Sequence, residues 1–286
     1  NILANDGISP SGLSALKEAG HTIYTDFIEA DALEAFIHEH AIDGILVRSA
    51  TQVRQGLIDA CPSLKFIGRG GVGMDNIDVE YARGLGINVF NTPASSSQSV
   101  AELVMGHLFS LSRFLNESFA AMPTEGHVSF KGLKKAYGKG VELRGKRLAI
   151  IGMGRIGQSL ATYALGAGME VVGVDREEGS CLVSWSIGGK EVSVTVPLIS
   201  MDEALRTADA ISLHIPAQAG GGAVIGEREL QSMKAGVILV NAARGGVIDE
   251  DALLTALDSG HIRAAGLDVF VGEPAPRADL LQHPRV

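Results

Sequence analysis

Cysteine is nearly absent. Cys61 and Cys181 are the only two, and they lie far apart with no metal-like spacing. That excludes a disulfide scaffold and a cysteine-based zinc site, and leaves two buried thiols in a reducing, cytoplasmic setting as the expectation. Tryptophan occurs once, and aromatic residues make up 5% of the chain. Positive charge is short as well. Lys and Arg total 24 against 33 Asp and Glu, a net charge of −9, which argues against nucleic acid as a partner. No apolar run approaches the roughly 20 residues that would span a bilayer. The opening "NILANDGISP" lacks the basic start and apolar stretch of a secretion signal.

Small and branched residues are plentiful. The chain is 46% hydrophobic and holds 36 glycines. That suits an α/β protein with many tight strand-to-helix turns and a core large enough for one big domain or two mid-sized ones. The first part alternates short apolar runs ("ILAN", "TIYT", "GILVRS", "KFIG", "INVFN") with helical patterns ("SPSGLSALKEAG", "DALEAFIHEH", "VRQGLIDACP", "VEYARGLG"). Such alternation reads as a parallel sheet wrapped by helices. "NTPASSSQSVAEL" reads as a crossover. A long apolar helix, "SVAELVMGHLFSLSRFLNESF", follows it, and then a Gly-rich loop over residues 120–142. A helix this apolar belongs between domains or subunits, and a homodimer or higher homo-oligomer is expected. A second alternating run starts at "GKRLAIIG" and continues through "EVVGVD", "AISLHI", "GVILVN" and "IRAAGLDV".

"LAIIGMGRIG" places Gly152, Gly154 and Gly157 between a strand and a helix, with Arg155 and Ile156 inside the motif. The first glycine permits a sharp turn, the second a close backbone approach to a pyrophosphate, and the third tight helix–strand packing. The helix N-terminus then offers free N–H groups to phosphates. Asp175 ends the next strand, where a carboxylate accepts ribose hydroxyls and repels a 2′-phosphate. NAD is therefore favoured over NADP, although Arg176 beside it works in the opposite sense. "VNAARGGV" sets Arg244 just past a strand end, where a guanidinium can hold a carboxylate through paired hydrogen bonds. A surface ion pair is the competing role for that arginine. Arg48 and Arg69 each follow a strand of the first run. If the two domains close on each other, both arginines suit a phosphate.

"GRGGVGMDNID", "SVAELVMG", "IIGMGRIG", "MKAGVILVNAARGGVIDE" and "AAGLDVFVGEP", in that order, resemble the signatures of the NAD-dependent D-2-hydroxyacid dehydrogenases. "GILVRSATQV" followed by "FIGRGGVGMDNID" looks most like the D-3-phosphoglycerate dehydrogenase branch. The resemblance implies a flavodoxin-like substrate domain over 1–95 and a doubly wound Rossmann NAD-binding domain over 96–286. It implies that Arg244 binds the substrate carboxylate and that Glu273 pairs with an acid/base histidine. That histidine is expected in a segment beyond "HPRV", so the chain as given is expected to bind NAD but turn over little substrate. His283 is a poor substitute, being close to Glu273 in sequence and followed by Pro284. Substrate contacts are implied for Arg48, Ser49, Arg69, Gly71 and Gly73. Cofactor contacts are implied for Val72, Gly152, Gly154, Arg155, Ile156, Gly157, Asp175, His214, Ile215, Pro216, Ala242, Ala243, Arg244 and Asp268.

The chain departs from the family in places. "SCLVSWSIGGKEVSVTVPL" is longer than usual after Asp175 and reads as an inserted hairpin about its two glycines. "HIPAQAGGGAVIG" replaces a Thr-containing segment and is expected to be more mobile, because glycine costs more entropy to order. The expected activity is oxidation of D-3-phosphoglycerate to 3-phosphohydroxypyruvate, towards serine. Two alternatives stay open: reduction of glyoxylate, hydroxypyruvate or another 2-keto acid, and an NAD(H)-sensing, corepressor-like binding protein.

Overall fold

A computed structural model of the chain describes every residue except 219. The described residues form two compact units, Asn1–Ser96 and Ser97–Val286.

The first unit alternates β1 (Ile2–Ala4), α1 (Pro10–Glu18), β2 (Ile23–Tyr24), α2 (Ala30–Glu39), β3 (Gly44–Val47), α3 (Gln55–Ala60), β4 (Phe66–Arg69), α4 (Val79–Gly84) and β5 (Asn88–Asn91). All strand pairs are parallel, in the order β2-β1-β3-β4-β5. This is the flavodoxin-like order. Ser9 starts α1 by accepting a hydrogen bond from Gly12 N at 3.1 Å, with Pro10 in the first turn. Leu3, Ile45, Val47, Ile67 and Val89 share one core with Leu33, Ile37 and Ile58 of the helices, as expected of a parallel sheet covered on that face.

The second unit begins with α5 (Ser97–Arg113) and α6 (Leu115–Tyr137). Two expectations fail here. The single long helix is broken at Phe114, which takes a left-handed conformation (φ 55°), and the presumed loop at 120–142 is helical to Tyr137. A second break falls at Ser129, where the backbone leaves helical geometry. A straight helix of this length would span about 34 Å. Instead Tyr137 donates its hydroxyl to the Glu117 carbonyl at 3.2 Å, and its ring centroid lies 6.2 Å from that of Phe114. The segment therefore doubles back as a helical hairpin. Pro123, Gly126 and Gly132 read as loop residues, but the intervening Ala, Met, Glu, Leu and Lys are strong helix formers, and they prevail. No residue of α6 is buried, and Phe119 (74%), Val128 (72%) and Phe130 (56%) are exposed. Only one face of α5 is buried, through Ala101, Val104, Met105 and Leu108.

There follow β6 (Arg147–Ile151), α7 (Arg155–Gly166), β7 (Glu170–Val174), β8 (Gly179–Ile187), β9 (Lys190–Leu198), α8 (Met201–Thr207), β10 (Ala210–Leu213), α9 (Glu227–Ser232), β11 (Val237–Asn241), α10 (Glu250–Asp258), β12 (Ile262–Leu267) and α11 (Ala278–Leu281). The sheet order is β12-β11-β10-β6-β7-β9-β8. Without β8 this is the doubly wound dinucleotide-binding order, reversing between β6 and β10. The predicted hairpin is present. β8 and β9 pair antiparallel from Gly179↔Leu198 to Ile187↔Lys190, joined by Gly188 and Gly189 at φ 57° and 76°. β9 fills the third strand position and β8 adds an outer edge. The expectation of mobility in "AQAGGGAVIG" falls partly on residue 219, outside the described residues.

Candidate active site

The glycine turn lies at the carboxyl end of β6. Gly152 sits at φ 100°, and a Cβ there would come within 2.5 Å of the His214 carbonyl oxygen. A Cβ on Gly157 would strike the Gly152 carbonyl. The turn and the start of α7 are thus in contact, and only glycine fits either position. Around Gly154 there is open space, which is where a ligand's phosphates could approach. Gly154 caps α7 with no side-chain hydrogen bond, so the helix N-terminus presents its N–H groups outward. Asp175 ends β7 and is exposed. Its carboxylate accepts from Met153 N at 3.0 Å and Arg176 N at 2.8 Å. These residues fit the adenosine and pyrophosphate half of a dinucleotide.

Further along the same edge, β10 runs into His214, Ile215 and Pro216. The His214 Nε2 lies 2.8 Å from Ser212 Oγ, while its buried Nδ1 has no partner among the described residues. Burial pushes the His214 imidazole down to about 4. The folded state therefore binds fewer protons than the unfolded chain between pH 4 and 6.5, so this stability is present above the ordinary histidine value and is lost as pH falls towards 4. The window is worth at most about 3 kcal/mol. Denaturant unfolding of His214→Asn is expected to show a shallower decline across it. An unchanged decline would contradict this assignment.

At the end of β11, the buried Asn241 holds the next turn. Its side chain accepts from Ala243 N at 3.1 Å and donates to the Arg244 carbonyl at 3.0 Å. Ala242 and Ala243 are buried, and Arg244 Nη1 donates to the Ala243 carbonyl at 2.6 Å. Gly245 passes directly over the Phe270 carbonyl, leaving no room for a Cβ. The turn after β12 is tied down in its own way. Phe270 N donates to Glu273 Oε1 at 2.8 Å and Val271 N to Glu250 Oε1 at 2.8 Å. The Arg244 turn and the Glu273 turn are therefore packed against each other. Asp268 just follows β12, bonded through its N–H to the Asn241 carbonyl at 3.0 Å.

These groups form a row along the carboxyl edge: Asp175 after β7, the glycine turn after β6, His214 after β10, Arg244 after β11 and Asp268 after β12. Four inter-strand steps separate its ends, about 19 Å at roughly 4.8 Å each. Open parallel sheets bind ligands along this edge, at the point where the strand order reverses. His283 lies elsewhere. Its ring bonds Asp258 at 3.3 Å, beside the amino-terminal end of β12.

In the first unit, Arg48 and Arg69 line one cavity of about 990 Å³, together with Asp6, His21, Thr92 and Ser95. Arg69 folds over Gly71, whose φ of 144° and contact with the guanidinium leave no space for a side chain. Gly71 N donates to Thr92 Oγ1 at 2.8 Å, and Asn91 donates to the Val72 carbonyl, fixing the turn that leads to Gly73. Ser49 is exposed in the loop after β3.

Sequence reasoning missed the groups that hold these loops. Asp6 accepts from Arg48 N at 2.6 Å and from Thr51 N at 3.2 Å, and the buried Asn76 donates to the Arg48 and Thr51 carbonyls at 3.0 and 2.6 Å. A polar residue at or just past the end of an apolar strand, as at Asn241 and Asp6, was the available signal. Among the described residues no group of three His, Cys, Asp or Glu could hold a metal ion, and no helix is long and apolar enough to cross a membrane.

The family model for the D-isomer specific 2-hydroxyacid dehydrogenase NAD binding domain matches residues 105–286. The chain is 40% identical to a hydroxypyruvate reductase of Thermotoga maritima over 252 residues, covering 88% of this chain and 76% of that protein. It is 39% identical to a D-3-phosphoglycerate dehydrogenase of Methanocaldococcus jannaschii over 284 residues, covering 98% of this chain and 51% of that protein. The chain thus spans about half the length of that dehydrogenase. A solved D-lactate dehydrogenase of Aquifex aeolicus, complexed with NAD and lactic acid, superposes with a TM-score of 0.71 at 29% identity over 95% of this chain and 78% of that one.

Proposed function

Because the chain belongs to the D-isomer specific 2-hydroxyacid dehydrogenase family, we propose that it oxidises a D-2-hydroxy acid with NAD, and that the acid is D-3-phosphoglycerate. The observation that carries the reading is the row of groups along the carboxyl edge of the second unit's sheet. Bound NAD supplies the hydride acceptor for C2 of the hydroxy acid. Gly152, Gly154 and Gly157 admit the pyrophosphate, and Asp175 takes the ribose hydroxyls. The Arg244 guanidinium holds the substrate carboxylate and carbonyl oxygen. Glu273 is the carboxylate that would orient, and raise the basicity of, the acid/base histidine that the family resemblance implies, which receives the hydroxyl proton. In the first unit, Arg48 and Arg69 at one cavity supply the charge that a phosphate requires.

The similarity to a hydroxypyruvate reductase over three quarters of that protein's length favours a second reading, reduction of an unphosphorylated 2-keto acid. A substrate panel followed by NADH absorbance on the natural protein separates the two. A lost charge-assisted phosphate contact costs about 1.5–3 kcal/mol. D-3-phosphoglycerate should therefore exceed D-glycerate in kcat/KM by about tenfold or more. Equal values, or turnover of hydroxypyruvate alone, would replace the first reading with the second. Binding of NAD(H) without turnover of any 2-hydroxy acid would favour a sensing role.

The exposed apolar residues of α6 support a homodimer, with Phe119, Val128 and Phe130 as the surface it covers. Light scattering should give a dimer that Phe119→Asp weakens; a monomer at micromolar concentration would contradict it. Cys61 is buried as expected and Cys181, on the outer strand β8, only partly; both are free thiols, which fits a reducing, cytoplasmic setting.

A further inference from the structure

His107 is a titratable group that the reaction as described leaves without a task. It lies on α5, which packs on β11 and β12 within the second unit. Its ring rests directly on Gly266. A Cβ at that glycine would stand 2.8 Å from the imidazole Cγ and Nδ1, so residue 266 is glycine because a ring occupies its side-chain space. Asp268 follows two residues later. Asp268 lies one residue past β12, but its N–H continues the ladder to the Asn241 carbonyl, so the strand alternation carries on to it and sets its carboxylate on the imidazole's side. Asp268 is also at the far end of the row from Asp175. In the reading above Asp175 takes the ribose hydroxyls of the adenosine half, so the opposite end of the row is left for the nicotinamide half.

The charges follow from this placement. Among the described residues, Asp268 is the charged group that faces His107, and His107 and Glu273 are those that face Asp268. Burial holds the His107 imidazole below its ordinary value, partly offset by Asp268. Burial raises the Asp268 carboxyl, with Glu273 adding to that and His107 opposing it. At neutral pH the imidazole is thus uncharged and gives the Asp268 carboxylate no compensating positive charge. The oxidised nicotinamide ring carries a positive charge and the reduced ring carries none. A lone carboxylate therefore favours the oxidised form, and a protonated imidazole beside it cancels that preference.

We propose that His107 is a positioning residue that sets which oxidation state of the nicotinamide cofactor the second unit prefers, by carrying or withholding a positive charge beside Asp268. The proposal rests on the cofactor reading above. It concerns binding, so it is tested without turnover.

The affinities of the 286-residue protein for NAD and NADH are measured by titration between about pH 5 and pH 8. The NAD preference should fall about tenfold on acidification below the ordinary histidine value of 6.5, with NADH affinity nearly constant. In His107→Gln that step should vanish, and in Asp268→Asn the preference itself should be lost at every pH. A second measurement needs no variant. By reciprocity of linkage, the His107 imidazole, followed by NMR, should titrate lower in the NAD complex than in the NADH complex. An identical pH profile in His107→Gln, or identical imidazole titrations in the two complexes, would overturn the proposal while leaving the cofactor reading intact. Failure of the wild-type protein to bind either form would sink both.

Discussion

Gly157→Val should lose dinucleotide binding by at least about a hundredfold and lower the thermal midpoint as well. The reason is local. A side chain at 157 runs into the Gly152 carbonyl and comes within 3.1 Å of Ile150 Cγ2. Gly152 cannot retreat, because its own Cβ position is occupied by the His214 backbone at 2.5–2.8 Å. The N-terminus of α7 must therefore move off the turn. Overpacking of this kind costs about 1–3 kcal/mol in stability, and the displaced N–H groups no longer converge on a phosphate. Gly154→Val is the informative control. Nothing stands within 4 Å of a Cβ there, so the fold should keep its stability. If the space around Gly154 receives the pyrophosphate, NADH affinity should still fall by about tenfold or more. Wild-type affinity in Gly154→Val would mean that the ligand does not approach this turn.

In the natural protein, Arg244→Ala should reduce kcat/KM for the hydroxy acid by about a thousandfold, from two charge-assisted hydrogen bonds at about 1.5–3 kcal/mol each. NADH affinity should change by less than about fivefold, because the glycine turn and Asp175 are untouched. Arg244→Lys should recover only part of the loss, since an ammonium cannot reproduce the paired geometry. The backbone that carries Arg244 is fixed independently, by Asn241 and by Gly245 against Phe270. Loss in the alanine variant therefore reports the guanidinium rather than the turn. Equal losses in NADH affinity and in kcat/KM would instead make Arg244 a cofactor residue alone.

Both variants act at positions that were readable in the sequence. Gly152 and Gly157 are legible because each answers a separate steric demand, and the flanking apolar runs identify the strand and helix. The hairpin was legible from its alternation about Gly188 and Gly189. The parallel strands were legible because they are buried on the pattern that branched residues favour. The helical hairpin of α6 was not. Pro123, Gly126 and Gly132 are local punctuation that normally ends helices, and no buried face offers a compensating period. The turn at Ser129 and the return of Tyr137 to Glu117 depend on contacts twenty residues apart, which composition does not record. The short α9 and α11 were too brief to show a period. Asn241, Asp6 and Asn76 were missed for a related reason. Each acts through backbone groups brought together by the fold, and a lone polar residue after a strand has many possible partners. The seating of His107 on Gly266 is likewise invisible until α5 is laid across β12.

The account stands on the carboxyl edge of the second unit being a groove for a nicotinamide dinucleotide without a 2′-phosphate. Parallel fluorescence titrations of the protein with NADH and NADPH address that directly. Asp175 is exposed at the end of β7 with both carboxylate oxygens already engaged by backbone N–H groups, so it cannot turn away from an added phosphate. Unlike a paired charge, that repulsion costs several kcal/mol. The account predicts that NADH binds and that NADPH binds about a hundredfold more weakly. Equal affinities, or binding of neither, would contradict it.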